Sequence, residues 1–267
     1  FGGGRAQSRG TAGRDLRYTL EVAFEEAIFG TEKEISISRP TLCGGCSGEG
    51  TAPGTSRERC AQCDGQGQVA MQQGFFTIAR TCPVCQGVGQ IIRTPCSTCN
   101  GSGKELKDAK IKVKVPAGID HGQRLKLRGE GEAGSGGGPD GDLYVQIVVK
   151  DHPVFVREDS DLFCDVPINY ASAVLGTEIE VPTLEGKVSL KIPAGTPSGK
   201  VFRMRSKGVP VLGSSQRGDL HVRVAVHVPT RISHEQREIL EKLRSLDGDI
   251  PTQDEKGFFE KMKEMFS

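Results

Sequence analysis

The sequence contains no tryptophan, and aromatic residues fill only 5% of its 267 positions. With so few large rings to occupy one broad interior, the chain is expected to build several thin modules instead of a single thick core. It has no apolar run long enough for a membrane span and no signal-peptide apolar region, so no membrane association is expected. Nor does one sign of charge prevail. The 35 basic and 34 acidic residues leave no global field to draw the chain toward nucleic acid or an anionic lipid surface. Walker, nucleophile-elbow and His-Glu-x-x-His patterns are missing, and the five histidines (His121, His152, His221, His227, His234) are scattered. No catalytic residue is assigned, and the chain is read as a non-enzyme. Gly129-Glu130-Gly131-Glu132-Ala133-Gly134 fits a dinucleotide fingerprint, but SGGGPDGD follows it instead of a helix. A pyrophosphate would find no helix N-terminus there.

What the chain has in plenty is cysteine and glycine, written together. CGGCSGEG at Cys43 returns as CAQCDGQG at Cys60, CPVCQGVG at Cys82 and CSTCNGSG at Cys96. Eight of the nine cysteines lie in these repeats; the ninth, Cys164 in DLFCDVPI, reads as a small buried strand residue. An odd count, strict Cys-x-x-Cys pairing and the missing secretion signal point to reduced, metal-bound thiols and a cytoplasmic location. Each Cys-x-x-Cys supplies half of a tetrahedral thiolate site, so four of them make two structural Zn²⁺ sites with no open coordination position. The trailing glycines permit positive φ and let backbone N–H groups face the sulfurs. Three pairings of the four turns are possible. QVAMQQGFFTIART reads as a hairpin about Gln72-Gln73-Gly74, which would join Cys60, Cys63, Cys82 and Cys85 on one ion and leave Cys43, Cys46, Cys96 and Cys99 to the other. Thiol–disulfide exchange through Cys82-Pro83-Val84-Cys85 is the alternative, although such sites sit at a helix N-terminus and here glycines follow. Nucleic-acid binding through Arg57, Arg59, Arg80 and Arg93 with Phe75 and Phe76 is weakly supported, the basic–aromatic interleaving being thin.

Two internal repeats set the architecture. VPAGIDHGQRLKLRGEG from Val115 matches IPAGTPSGKVFRMRSKG from Ile192, an offset of 77 residues that still holds where Gly141-Asp142-Leu143 meets Gly218-Asp219-Leu220. DLRYTLEVAFEEAIFGTEKEI from Asp15 matches DLFCDVPINYASAVLGTEIEV from Asp161 at an offset of 146, so the first copy carries 69 extra residues, which the cysteine repeats fill. IKVKVP, RLKLR, DLYVQIVVK, VSLKIP, VFRMR and DLHVRVAVHV alternate with period two and read as strands. In AFEEAIFG, Phe24 and Ile28 share one face of a short helix closed by Gly30, with Tyr170 and Val174 their counterparts. A further helix starts at Ser233, with Gln236 completing a capping box and Ile239, Leu240, Leu243 and Leu246 forming an apolar stripe. The last segment, with Phe258, Phe259, Met262, Met265 and Phe266, is expected to pair with a second copy of the chain.

The fold expected is mainly β: two similar β-sandwich-like domains in tandem, with an elongated cysteine-rich zinc module of β-hairpins inserted in the first and short C-terminal dimerisation helices. The boundaries are 1–14 for the end of a Gly/Phe-rich linker, 15–42 with 104–157 for the first β-domain, 43–103 for the zinc module, 158–229 for the second β-domain, and 230–267 for the terminal helices.

These features together resemble the DnaJ family of class A J-domain heat-shock co-chaperones. The likeness rests on the four cysteine repeats inside the first of two β-domains after a Gly/Phe stretch, and on VPAGIDHGQRLKLRGEGE, GDLYVQIVV, HPVFVREDSDL and GDLHVRVAVHVPT. The helical J domain with its His-Pro-Asp tripeptide is not in this sequence, and His152-Pro153-Val154 is no substitute, so the chain is read as a C-terminal fragment that does not stimulate a partner ATPase by that route. The resemblance implies a homodimer joined at the C-termini. It implies binding of non-native polypeptides and their delivery to the DnaK-type 70-kilodalton heat-shock chaperone, and it implies the same nested zinc pairing. Carried onto matching positions, it implies a client groove at Leu16, Ile35 and Ile37, with Phe155 beside them and Ile111 or Val113 completing it. Periodicity alone allows these residues to be ordinary core.

Overall fold

The computed structural model describes residues 10–73 and 76–247. Phe258, Phe259, Met262, Met265 and Phe266 lie outside the described residues. The chain divides into two compact units, one holding residues up to 164 with 182–187 and 202–222, the other holding 165–181, 188–201 and residues from 223 onward.

The alternating patterns become strands as read. The chain opens with β1 (Leu16–Val22), the one-and-a-half-turn helix α1 (Phe24–Phe29) and the long β2 (Thr31–Leu42). In α1, Phe24, Ala27 and Ile28 are buried, Glu26 accepts the Ala23 N–H at 2.7 Å, and Gly30 at φ +78° ends the helix. The inserted module holds β3 (Glu58–Arg59), β4 (Gln68–Gln73), β5 (Phe76–Thr81) and β6 (Gln90–Ile91). The expected hairpin is present, with Gln68 paired to Thr81 through to Gln73 paired to Phe76. The chain returns along β7 (Lys104–Val115), then β8 (Arg124–Leu127) and β9 (Leu143–Val149).

Three strands form a sheet in the order β1-β9-β8, β1 and β9 parallel and β8 antiparallel to β9. β2 and β7 form an antiparallel ribbon from Thr31–Val115 to Leu42–Lys104. One face of each is apolar, and the core lies where they contribute together: Leu20 and Val22, Ile35 and Ile37, Ile111, Val113 and Val115, and Leu143, Val145 and Ile147, with Ala27 and Ile119. The period-two pattern places these side chains on one face of each strand and the charged ones on the other.

The second copy repeats this plan. β10 (Val156–Glu158) and β11 (Asp161–Ile168) lead into α2 (Tyr170–Leu175), β12 (Thr177–Thr183), β13 (Gly186–Ile192), β14 (Val201–Met204) and β15 (Leu220–Val226), with a sheet in the order β10-β11-β15-β14. β12 and β13 are joined directly by Leu184 and Glu185, whereas their counterparts β2 and β7 run on from Ser38–Asp108 to Leu42–Lys104 before the insertion begins. The cysteine module therefore grows from the tip of a lengthened hairpin. In α2 only Ala173 is buried; Tyr170 and Val174, the counterparts of Phe24 and Ile28, are 52% and 45% exposed, and the cap is instead Asn169, which accepts the Ser172 N–H at 2.7 Å. Cys164 is buried, as its apolar setting suggested.

α3 (His234–Asp247) begins with the expected reciprocal cap: the Gln236 side chain accepts the Ser233 N–H at 2.8 Å and the Ser233 hydroxyl accepts the Gln236 N–H at 3.2 Å. Its stripe residues Ile239, Leu240 and Leu246 are exposed. Among the described residues no helix is long and apolar enough to cross a membrane.

The dinucleotide-like glycines serve a structural end. The Arg39 guanidinium donates to the carbonyls of Gly129 and Gly131, both at 3.2 Å, and pairs with Glu130 at 2.9 Å, so the loop is held by a cation where a phosphate would need donors. Leu143 is fully buried at the centre of the first core. Leu143→Ala should lower stability by about 2–5 kcal/mol in urea titration of this domain, the sum of lost burial and the cavity left behind; a change under about 1 kcal/mol would contradict the placement.

Candidate metal centres

Eight cysteine sulfurs gather into two groups. Cys43, Cys46, Cys96 and Cys99 form one, and Cys60, Cys63, Cys82 and Cys85 the other, with every sulfur of a group within 4.8 Å of the rest. The outer two turns meet at the root of the module and the inner two meet at the open base of the β4–β5 hairpin, next to the Gln68–Thr81 pair.

The sulfur spacing speaks to the chemistry. Cys46 and Cys99 sulfurs are 3.7 Å apart, Cys60 and Cys82 3.9 Å, and Cys63 and Cys85 3.6 Å. A disulfide needs about 2.05 Å. Four sulfurs at about 2.3 Å from a tetrahedral ion lie about 3.8 Å from one another. The clusters thus have the edge length of a tetrathiolate cage, and all eight thiols are free. These residues can hold one divalent cation per cluster, and four protein ligands leave no coordination position for a substrate.

The repeat Cys-x-x-Cys-x-Gly-x-Gly can be explained residue by residue. After the second cysteine, Ser47, Asp64, Gln86 and Asn100 each adopt φ +50°, and the glycines that follow lie between φ +79° and +95°. The last glycine of each repeat, Gly50, Gly67, Gly89 or Gly103, has φ between +72° and +77°. This turn swings the backbone back so that the N–H of Gly50, Gly67 and Gly103 donates to the sulfur of Cys46, Cys63 and Cys99 at 3.2, 3.2 and 3.3 Å. The carbonyls of the last glycines do a second job. Cys43 N–H donates to Gly103 and Cys96 N–H to Gly50, while Cys60 N–H donates to Gly89 and Cys82 N–H to Gly67, all at 2.9 Å. Each repeat therefore clasps its partner reciprocally. A side chain on the last glycine would collide: a Cβ on Gly67 would stand 2.3 Å from the Gly87 carbonyl oxygen, and one on Gly103 2.4 Å from that of Gly48. The positive φ at Ser47, Asp64, Gln86 and Asn100 was missed in the sequence; its signal is the small polar or unbranched residue at that place, which tolerates the left-handed region.

Burial pushes the Cys43 thiol up to about 11, whereas N–H groups of Thr98 and Cys99 draw Cys96 down to about 7. One thiolate is thus easily formed in the outer cluster while four together would need compensating positive charge, which a divalent cation supplies. Cys82 and Cys85 of the Pro-containing turn are 0% and 6% exposed and engaged in the inner cluster, which does not favour disulfide exchange by an accessible thiolate.

The module's arginines are largely neutralised where they stand. Arg57 pairs with Glu49 at 3.9 Å, Arg59 with Asp64 at 3.3 Å and Arg93 with Glu58 at 2.6 Å. At the root, Gly44 N–H donates to Glu105 at 2.9 Å, and Lys104 pairs with Glu132 at 2.8 Å with both side chains only 20% exposed. That cation holds the Glu132 carboxyl below its ordinary range.

The residues that the resemblance assigned to a client groove fall in two places. Ile35, Ile37, Ile111 and Val113 are buried in the core of the first β-domain, with Leu16 half-buried against them and Ile35 registered opposite Ile111. Phe155 is buried elsewhere, its ring 6.5 Å from Phe24 and 5.0 Å from His152, whose Nδ1 accepts the N–H groups of Val154 and Phe155.

Gly67→Ala should disrupt one cluster, lowering the divalent metal that the chain can hold by about half in elemental analysis, through both the clash and a φ that L-residues resist at a cost of about 1–2 kcal/mol. Gly54→Ala is the control: φ there is +81° but nothing lies within 4 Å of the added carbon, and metal content should equal that of the parent chain. Full metal content in Gly67→Ala would contradict the reciprocal clasp.

Comparison with known families places this geometry. The DnaJ C terminal domain matches residues 16–229, and the Chaperone protein DnaJ C-terminal region matches residues 235–267. A Chaperone protein DnaJ of Acetivibrio thermocellus is 50% identical over 256 residues, covering 94% of this chain and 66% of that protein. The Chaperone protein DnaJ of Maridesulfovibrio salexigens is 48% identical over 98% of this chain and 70% of its own length, and that of Halalkalibacterium halodurans 46% identical over 100% and 74%. The chain thus spans about two thirds to three quarters of the curated relatives it matches. With two tandem β-domains, an inserted pair of four-cysteine clusters and these matches along nearly its whole length, the chain belongs to the DnaJ chaperone family.

Proposed function

We propose that this chain binds non-native polypeptides, keeps them from aggregating, and hands them to a DnaK-type heat-shock chaperone, acting as a cytoplasmic homodimer that carries two structural Zn²⁺ ions per chain. The observation that carries this reading is the 46–50% identity to proteins named Chaperone protein DnaJ. Thiolate-only ligand sets favour zinc, and reduced thiols suit a cytoplasmic setting.

The client-binding surface proposed is the first β-domain around Leu16, with Ile35, Ile37, Ile111 and Val113 beneath and Phe155 as a further apolar element. Two features support it. β1 stands at the edge of the order β1-β9-β8, whereas its counterpart β11 has β10 paired along it, Arg157 opposite Leu162. Correspondingly Leu16 is half-buried where Leu162 is fully buried. An extended client segment can add to an edge strand through main-chain hydrogen bonds while an apolar side chain packs against the half-buried Leu16. Affinity then depends little on sequence, which is what a holder of many unfolded chains requires.

The purified chain should suppress aggregation of a chemically denatured protein without nucleotide, as followed by light scattering. Leu16→Ser should weaken that suppression several-fold with metal content and thermal midpoint little changed; undiminished holding would refute the groove, and no holding by the parent chain would refute the function. The terminal segment is proposed to join two copies through Phe258, Phe259, Met262, Met265 and Phe266. Removing residues from Gly257 onward should convert a dimer to a monomer in sedimentation, and a persistent dimer would contradict that assignment.

A further inference from the structure

The outward face of the β1-β9-β8 sheet is built differently from its counterpart in the second copy. Register sets its side chains in two rows across the three strands: Arg17, Tyr144 and Lys126 in one, Thr19, Gln146 and Arg124 in the next. Of these, Arg17, Tyr144, Thr19, Gln146 and Arg124 line a cavity of about 310 Å³ together with Asp15 and Tyr18. Tyr144 and Gln146, on the central strand, make the floor; Arg17 and Arg124 rise from the flanking strands.

The charges there are unequally satisfied. Lys126 pairs with Asp142 at 2.7 Å and its ammonium stands 5.6 Å from the centre of the Tyr144 ring. Asp142 also accepts the Gly129 N–H, and Asp15 accepts the Asp142 N–H at 2.8 Å. Arg17 and Arg124 have no ion-pair partner among the described residues, and both are exposed. Two guanidinium forks thus flank the cavity with no carboxylate bound to them.

The second copy shows the same surface closed. By the repeat offsets Arg17 corresponds to Phe163 and Tyr144 to His221, and these two rings stack at 4.8 Å. Thr19 corresponds to Asp165 and Gln146 to Arg223, which form a two-pronged pair at 2.5 and 2.7 Å. Arg124 corresponds to Val201. The shared scaffold pairs are kept, since Arg203 approaches Asp219 at 3.7 Å as Lys126 approaches Asp142. Within one chain, then, the same sheet face appears once with its cation neutralised and its rings stacked, and once with two cations left open.

We infer that this face of the first β-domain is a binding site for an acidic peptide segment, with Arg17 and Arg124 each taking one carboxylate of an extended chain. Guanidinium forks match carboxylates with two parallel hydrogen bonds. The two arginines rise from strands two spacings apart, about 10 Å, and their long arms can converge over the floor. Side chains on one face of an extended peptide recur every ~7 Å, a distance those arms can span. Gln146 and Thr19 offer neutral partners to the backbone between them. A nucleoside phosphate fits less well, because Lys126 already stands against the Tyr144 ring that a base would need. The site is distinct from the proposed client groove: Leu16 belongs to the apolar inward face, and Arg17 and Thr19 to the opposite one.

The test is fluorescence anisotropy with a labelled, C-terminally amidated peptide containing Glu-Ser-Glu, and the same peptide with Gln-Ser-Gln, at low salt. Arg17→Gln with Arg124→Gln should weaken binding of the acidic peptide by about tenfold or more, while Lys110→Gln, removing one cation on β7, should leave it unchanged. Metal content and circular dichroism establish that the variants are folded. Equal binding of the Gln peptide, or an equal loss with Lys110→Gln, would overturn the site. Displacement of the peptide by inorganic phosphate at equal concentration would overturn the peptide assignment in favour of a small-anion site. The readout is peptide binding and not aggregation, so failure here and failure of the holding function are told apart.

Discussion

Four sulfurs held at the edge length of a tetrahedron govern the inserted module. It has few large apolar side chains; the buried residues around the inner cluster are the cysteines themselves, with Val69 and Ile91 packed against them. A segment of this kind cannot offset its conformational entropy by apolar burial. A cation held by each cluster would take the part of a core, and the short strand pairs β3–β6 and β4–β5 would be ordered by their attachment to it. The reciprocal hydrogen bonds from cysteine N–H to glycine carbonyl transmit this order from one repeat to its partner.

The same constraint explains where the module is placed. A two-residue turn joins β12 and β13 in the second copy, and the insertion replaces that turn in the first after five additional strand pairs, Ser38–Asp108 to Leu42–Lys104. A hairpin tip is a site where chain can be added without disturbing the core beneath, because the flanking backbone pairs remain satisfied. The outer cluster sits at the point of exit and return, so its ligands come from both ends of the insertion. Lys104–Glu132, Glu105–Gly44 and Arg39 on the Gly129–Gly131 loop tie this root to the β-domain. The cluster at the root thus fastens the two arms of the hairpin together.

Duplication followed by divergence is visible in single residues. Leu16 and Leu162 occupy matching strands, yet β10 accompanies only the second. Arg17 and Phe163 occupy matching positions beside Tyr144 and His221, yet only Phe163 brings a ring of its own to stack on its neighbour. The copies share backbone plan and scaffold ion pairs but differ in what they leave open: the β1 edge and the Arg17–Arg124 face in the first, and Tyr170 and Val174 of α2 in the second.

Much of this was legible in the sequence because it is carried by spacing. Period-two alternation announced the strands, Ser233 with Gln236 announced the start of α3, and the difference between the two repeat offsets located the insertion. The cysteine pairing followed once QVAMQQGFFTIART was recognised as a hairpin, since a hairpin brings its flanks together whatever else surrounds it. Other features depend on residues distant in the chain. That Ile35, Ile37, Ile111 and Val113 lie within the core while Leu16 stands at its margin, that α2 leaves Tyr170 and Val174 exposed, and that Arg17 and Arg124 share one cavity are matters of sheet order and register. By itself the sequence determined the repeats, the strand faces and the all-thiol ligand sets, because local periodicity and residue type suffice for these. Only the tertiary structure decided which edges and charges stay unpaired, because a backbone edge or a guanidinium is open or closed according to strand order and register, which set Arg157 beside Leu162 and Asp165 beside Arg223 but leave Arg17 and Arg124 without a carboxylate.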